Sequence, residues 1–72
     1  MNNIEQRITF YYAEIDMDTG ECIGVCALSY TTSRPEYVEI LVYTEDYIEK
    51  YYNFDNGKWY LDGTFTTEWS PV

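Results

Sequence analysis

Apolar and aromatic residues in this chain come in short runs separated by clusters of turn-forming residues. The first run, Arg7-Ile8-Thr9-Phe10-Tyr11-Tyr12-Ala13-Glu14-Ile15, puts Ile8, Phe10 and Tyr12 on one face of a strand and Thr9, Tyr11, Ala13 and Ile15 on the other. Neither face is polar throughout, which predicts a strand covered on both sides. Asp16-Met17-Asp18-Thr19-Gly20 follows as a hairpin turn, because Asp hydrogen-bonds its own downstream backbone and Gly supplies a positive φ. The return strand, Glu21 to Tyr30, carries Gly24 in its middle, the mark of a bulge or of a close approach by a neighbouring group. Strict alternation places Cys22, Gly24, Cys26 and Leu28 on one face.

Thr31-Thr32-Ser33-Arg34-Pro35 is a loop linking two halves of the sheet, since hydroxyl side chains bond locally to the backbone and Pro35 steers Arg34 away from helix. Val38 to Tyr43 predicts a third strand with Val38, Ile40 and Val42 inward. Thr44 before Glu45, Asp46 and Tyr47 has the form of an N-cap with acids in the first turn, predicting a short helix near residues 44–50. Tyr51-Tyr52-Asn53-Phe54 and Lys58-Trp59-Tyr60-Leu61 flank Asp55-Asn56-Gly57, a hairpin signal that favours a primed turn. A second turn at Asp62-Gly63 precedes a last strand over Thr64 to Trp69, with Phe65 facing opposite to Thr64 and Thr66. The whole of residues 1–72 reads as a single, mainly β domain, a small antiparallel sheet of hairpins with one short helix. Phe10, Tyr12, Ile40, Val42 and Trp59 are its expected core.

Composition narrows the function. Thirteen acidic against four basic residues, with no histidine, give a net charge of -9, which opposes contact with phosphate backbones and anionic lipid. Direct nucleic-acid binding and membrane association are therefore not expected. No run approaches the roughly 20 apolar residues of a membrane span, and the start has neither the basic nor the apolar part of a secretory signal, so a soluble chain made in the cytosol is expected. At 72 residues the core is small, and self-association would bury more of its nine tyrosines and two tryptophans.

Candidate chemistry is sparse. Cys22 and Cys26 on one strand would have Cα atoms roughly 13 Å apart, beyond disulfide reach, so both are expected to be reduced. With no histidine and no second cysteine pair, four zinc ligands of the usual kind are not at hand. Asp16-x-Asp18-x-Gly20 invites a calcium reading, but Gly stands fifth where an EF-hand loop needs it sixth, and a hydrogen-bonded turn accounts for the same residues. General acid-base and nucleophilic mechanisms draw on His, Lys or a Cys-His pair, and the local setting of the cysteines offers Glu21 instead of a cation. Catalytic, metal-binding and cofactor-binding residues are accordingly expected to be none. Among the aromatic residues, Tyr51, Tyr60 and Trp69 are the candidates for an interface, because rings with polar tips suit surfaces that are covered on binding.

The run Tyr51-Tyr52-Asn53-Phe54-Asp55-Asn56-Gly57-Lys58-Trp59-Tyr60-Leu61-Asp62, followed by Phe65, Glu68-Trp69 and Pro71, resembles the endings of small proteins from phage and prophage tail-module regions. The N-terminal sequence Asp16-x-x-Thr19-Gly20-Glu21-x-Ile23-Gly24 resembles openings in such proteins. The resemblance implies a non-enzymatic, tail-associated structural or assembly protein. It would act through a protein partner, self-associate into a homo-oligomer, be made in the host cytoplasm and enter the virion if incorporated. A second reading takes the acids Glu36, Glu39, Glu45, Asp46, Glu49, Asp55 and Asp62 as an imitation of a DNA phosphate row, making the chain a phage-encoded inhibitor of a host nucleic-acid-binding protein. A third makes the aromatic residues a carbohydrate-binding face.

Overall fold

The computed structural model describes residues 9–71, and the expected strand positions Arg7 and Ile8 lie outside them. Six strands form two three-stranded antiparallel sheets, the first ordered β2-β1-β3 and the second β4-β5-β6. β1 is Phe10–Ile15, β2 is Cys22–Leu28 and β3 is Tyr37–Ile40, while β4 is Tyr51–Asn53, β5 is Lys58–Tyr60 and β6 is Glu68–Trp69. Among the described residues the one helical element is a single 3-10 turn, Glu45–Tyr47.

The β1–β2 hairpin forms where the alternation places it. Asp16 Oδ1 accepts from the Asp18 amide at 2.9 Å, and Gly20 takes a φ of 84° to return the chain. Pairing runs from Phe10↔Leu28 to Glu14↔Gly24, then slips so that Ile15 faces Cys22. Ile23 is the extra residue of a bulge next to Gly24, and it shifts the parity of the strand start. Cys22 therefore shares a face with Ala13, Ile15 and Val25 and opposes the face of Gly24, Cys26 and Leu28, which corrects the single face expected from unbroken alternation. No atom lies within 4 Å of where a side chain on Gly24 would begin, so the bulge, and not a close neighbour, accounts for this glycine.

That face is the core. Ala13, Ile15, Cys22, Ile40 and Tyr47 are buried together, with Tyr52, Trp59 and Trp69 of the second sheet packed against them. On the other face of β1, Tyr12 is also buried, its hydroxyl accepting from the Thr32 amide at 3.1 Å and its ring set edge-on to Tyr37. β1 is thus covered on both sides. Two expected core members, Phe10 and Trp59, are half-buried, and Val42 is 48% exposed. β3 stops at Ile40 because the chain must leave the sheet to carry Tyr47 over the core, and Val42 goes with it.

Thr44 caps the 3-10 turn, its hydroxyl accepting from the Asp46 amide at 3.1 Å. Ile48 is already extended and Glu49 takes a φ of 78°, which ends the turn and aims the Glu49 amide at the Cys22 carbonyl, 2.9 Å away. The Cys22 amide in turn donates to Lys50 and the Tyr52 amide to Gly20, at 2.8 and 2.9 Å. These three bonds join the start of β2 to the start of β4, so the two sheets share a hydrogen-bonded seam with Cys22 at its centre.

The β4–β5 hairpin falls where Asn56-Gly57 predicts it, with a different turn. Gly57 has a φ of 72° while Asn56 stays on the ordinary side, and the Gly57 amide donates to the Asn53 carbonyl at 2.8 Å across Phe54, Asp55 and Asn56. A type I′ turn, the primed form that Asn-Gly favours, needs positive φ at both central positions, and here only Gly57 takes it. The expected strand over Thr64 to Trp69 shrinks to Glu68–Trp69. Asp62 holds the intervening residues in a loop: its carboxylate accepts from the Thr64 and Thr66 hydroxyls and from the Thr66 and Thr67 amides.

Candidate protein interaction surfaces

Strand register decides which aromatic residues can act together. Tyr52, Trp59 and Trp69 lie across from one another on the inward face of the second sheet, and Tyr51 pairs with Tyr60 on the outward face. The three interface candidates are thereby divided, Trp69 on one face and Tyr51 with Tyr60 on the other. Trp69 packs against Tyr47 at 5.2 Å between ring centroids, and the Lys50 ammonium sits 4.8 Å from the centre of its ring. Tyr60 is 9% exposed, its hydroxyl accepting from the Asn56 side chain at 2.8 Å and its ring against Phe65 at 5.3 Å. Tyr51 is half-buried beneath Gly63, where a Cβ would stand 3.2 Å from its ring. Rings of this sheet are largely engaged with one another.

The first sheet presents a different surface, an open edge. The Ile15 amide donates to the Glu36 carbonyl at 2.7 Å, and with Ala13 opposite Val38 and Tyr11 opposite Ile40, the backbone groups of Val38 and Ile40 point toward β1. By the same alternation the N–H and C=O of Glu39 and the C=O of Tyr37 point away from the sheet. Directly after this edge come Leu41, 91% exposed, then Val42 and Tyr43, each about half exposed. Tyr43 leans on Tyr11 with ring centroids 5.2 Å apart, so the run stays close to the sheet. An unpaired edge beside contiguous apolar side chains is a ready template for another strand. These residues were absent from the sequence-based candidates. Their signal was the unbroken run Ile40-Leu41-Val42-Tyr43, which no single inward face can absorb.

Charge surrounds both surfaces. Arg34 is held by Glu36 at 2.7 Å and Lys58 meets Glu68 at 3.8 Å, so two of the few cations are already engaged with carboxylates. The cysteines are free thiols. Burial pushes the Cys22 thiol above its ordinary pKa, with the negative charges of Glu14 and Glu21 adding to it, and burial together with Glu14 does the same to Cys26. Both are held as thiols, the unreactive form. Among the described residues no group of three His, Cys, Asp or Glu side chains converges as a metal site, and no helix is long and apolar enough to cross a membrane.

No known protein family, curated protein or solved structure matches this chain.

Proposed function

We propose that this chain is a non-enzymatic structural or assembly protein that works by protein–protein contact, of the phage and prophage tail-associated kind that its C-terminal motif resembles. The supporting observation is the β3 edge: outward-facing backbone groups at Tyr37 and Glu39, continued by exposed Leu41 and Val42. Backbone pairing at such an edge supplies affinity, and the flanking side chains supply selectivity. A homo-oligomer through this edge would bring together two chains of charge -9, whereas a partner of opposite charge gains from the same field.

The test is co-purification with the products of genes adjoining its own, comparing the native chain with Glu39→Pro. Proline at this position removes an outward N–H and leaves the bonds to β1 in place. Loss of the partner in Glu39→Pro is the expected result. The charge also keeps the acidic-inhibitor reading in view. Under that reading binding falls steeply as salt rises and Glu39→Pro binds as well as the native chain.

A further inference from the structure

Where the two hairpin turns meet, at the end of the molecule away from the β3 chain exit, there is a pocket of about 300 Å³. The first turn lines it from Met17 to Gly20, the second hairpin from Tyr52 to Asp55, and Phe65 reaches in from the Asp62 loop. That volume lies at the small end of the range for ligand pockets. Gly20, at a φ of 84°, lies beside both the Tyr52 carbonyl and the tip of the Phe65 ring, which a Cβ there would touch at 3.4 and 3.8 Å. The Tyr52 and Phe54 rings stand edge to face with centroids 4.9 Å apart.

Two kinds of residue line this space, the aromatic residues Tyr52, Phe54 and Phe65 and the acids Asp18 and Asp55. Among the described residues neither aspartate side chain is engaged in an ion pair. Rings attract a cation through their electron-rich faces, carboxylates attract it directly, and an alkyl stem lies well along aromatic surface. The same chemistry is already used twice within the chain, by Lys50 over Trp69 and by Arg34 over Tyr37, whose guanidinium carbon is 5.5 Å from the ring centre. A neutral apolar ligand would leave the aspartates without a role, and an anion would be repelled.

We propose that this pocket seats one lysine or arginine side chain of a protein partner, its stem between Tyr52, Phe54 and Phe65 and its charge facing Asp18 and Asp55. The assignment rests on the reading of the chain as a docking protein and adds the chemistry of what docks. It is also a separate site from the β3 edge, so each can fail alone.

The experiment follows amide chemical shifts of the full chain during titration with n-butylammonium and n-butylguanidinium chlorides, with n-butanol as the uncharged control at matched ionic strength. Two capped tripeptides, Gly-Lys-Gly and Gly-Arg-Gly, present the same cations from a peptide backbone. Saturable shifts confined to Gly20, Tyr52, Phe54 and Asp55 are expected from the cations and the peptides and not from butanol. Affinity should fall about tenfold in the Asp18→Asn/Asp55→Asn double variant and in Phe54→Ala, both at exposed positions. Equal saturation by butanol, an unchanged affinity in the double variant, or no localised shift from any cation overturns the proposal. Binding of the free cations but not of the peptides also overturns it, in favour of a small amine. None of these outcomes touches the β3 edge, whose test is Glu39→Pro.

Discussion

Strands β1, β2 and β3 run for six, seven and four residues, while β4, β5 and β6 manage three, three and two. The first sheet is held by long backbone ladders over small buried side chains, with Ala13 and Cys22 wholly buried and Ile15 nearly so. The second has few ladder bonds and relies on side chains: Trp59 lies 4.8 Å from Tyr47 and 5.0 Å from Tyr52, and Asp62 organises the loop before β6. One sheet is a backbone structure filled in by side chains, and the other is a ring cluster to which backbone has been fitted. The difference explains where the open surfaces lie. A long ladder leaves a long edge behind it, whereas rings engaged with one another leave less surface free, the pocket at the turns being part of it.

The largest effect should come from the seam. Ile15 is the residue opposite the bulge and packs in the core that both sheets share, so Ile15→Ala should lower stability by about 2–5 kcal/mol. Urea unfolding followed by far-UV circular dichroism and by tryptophan fluorescence should show both signals moving together. Separate transitions would break the comparison by making the sheets independent units. Trp59→Ala should cost less, about 2–3 kcal/mol, below the range for a fully buried ring because Trp59 is half-buried. An unchanged unfolding midpoint would show that the ring cluster does not hold the second sheet.

A third prediction concerns the loop before β6. Hydrogen bonds, first from the Thr64 hydroxyl and then from Thr66 and Thr67, hold the Asp62 carboxyl well below the usual carboxylate range. A lowered folded-state pKa means that the charged form stabilises the fold above the ordinary pKa and that this contribution fades as acid protonates it. Asp62→Asn should melt below the native chain at neutral pH, and the gap should narrow as the pH falls below about 4. A gap that is constant with pH would assign the loop to packing instead. The smallest effect is expected at Glu49, a non-glycine residue at positive φ with an exposed side chain. Glu49→Gly should raise stability by about 0.5–1 kcal/mol, read as a higher melting temperature, since relief of the backbone conformation outweighs the added freedom of glycine in the unfolded chain.

Much of this architecture was legible from residue order. Asp16-to-Gly20, the bulge at Gly24, the Thr44 cap and the Asn56-Gly57 hairpin each rest on chemistry local to a few residues, and each appears where that chemistry places it. Failures came where a local rule met a longer-range one. A single bulge residue inverts every facing on its far side, so the burial of Cys22 was legible from the sequence but its separation from the face of Cys26 was not until pairing with β1 was known. Thr64-Phe65-Thr66-Thr67 has the β propensity of a strand, but the Asp62 carboxylate offers the backbone a competing set of bonds. Aromatic content alone does not distinguish Tyr60, buried against Phe65, from a ring on a free surface. The pocket brings together turns more than thirty residues apart in the chain and leaves no trace in either one.

The docking account is tested most directly by amide hydrogen exchange at Glu39, measured in the free chain and in the complex with a co-purifying gene neighbour. The account predicts fast exchange at Glu39 beside slow exchange at Val38 and Ile40 in the free chain, and strong protection of Glu39 once the partner is bound. A complex in which Glu39 exchanges as fast as before, with new protection confined to other parts of the chain, would contradict it.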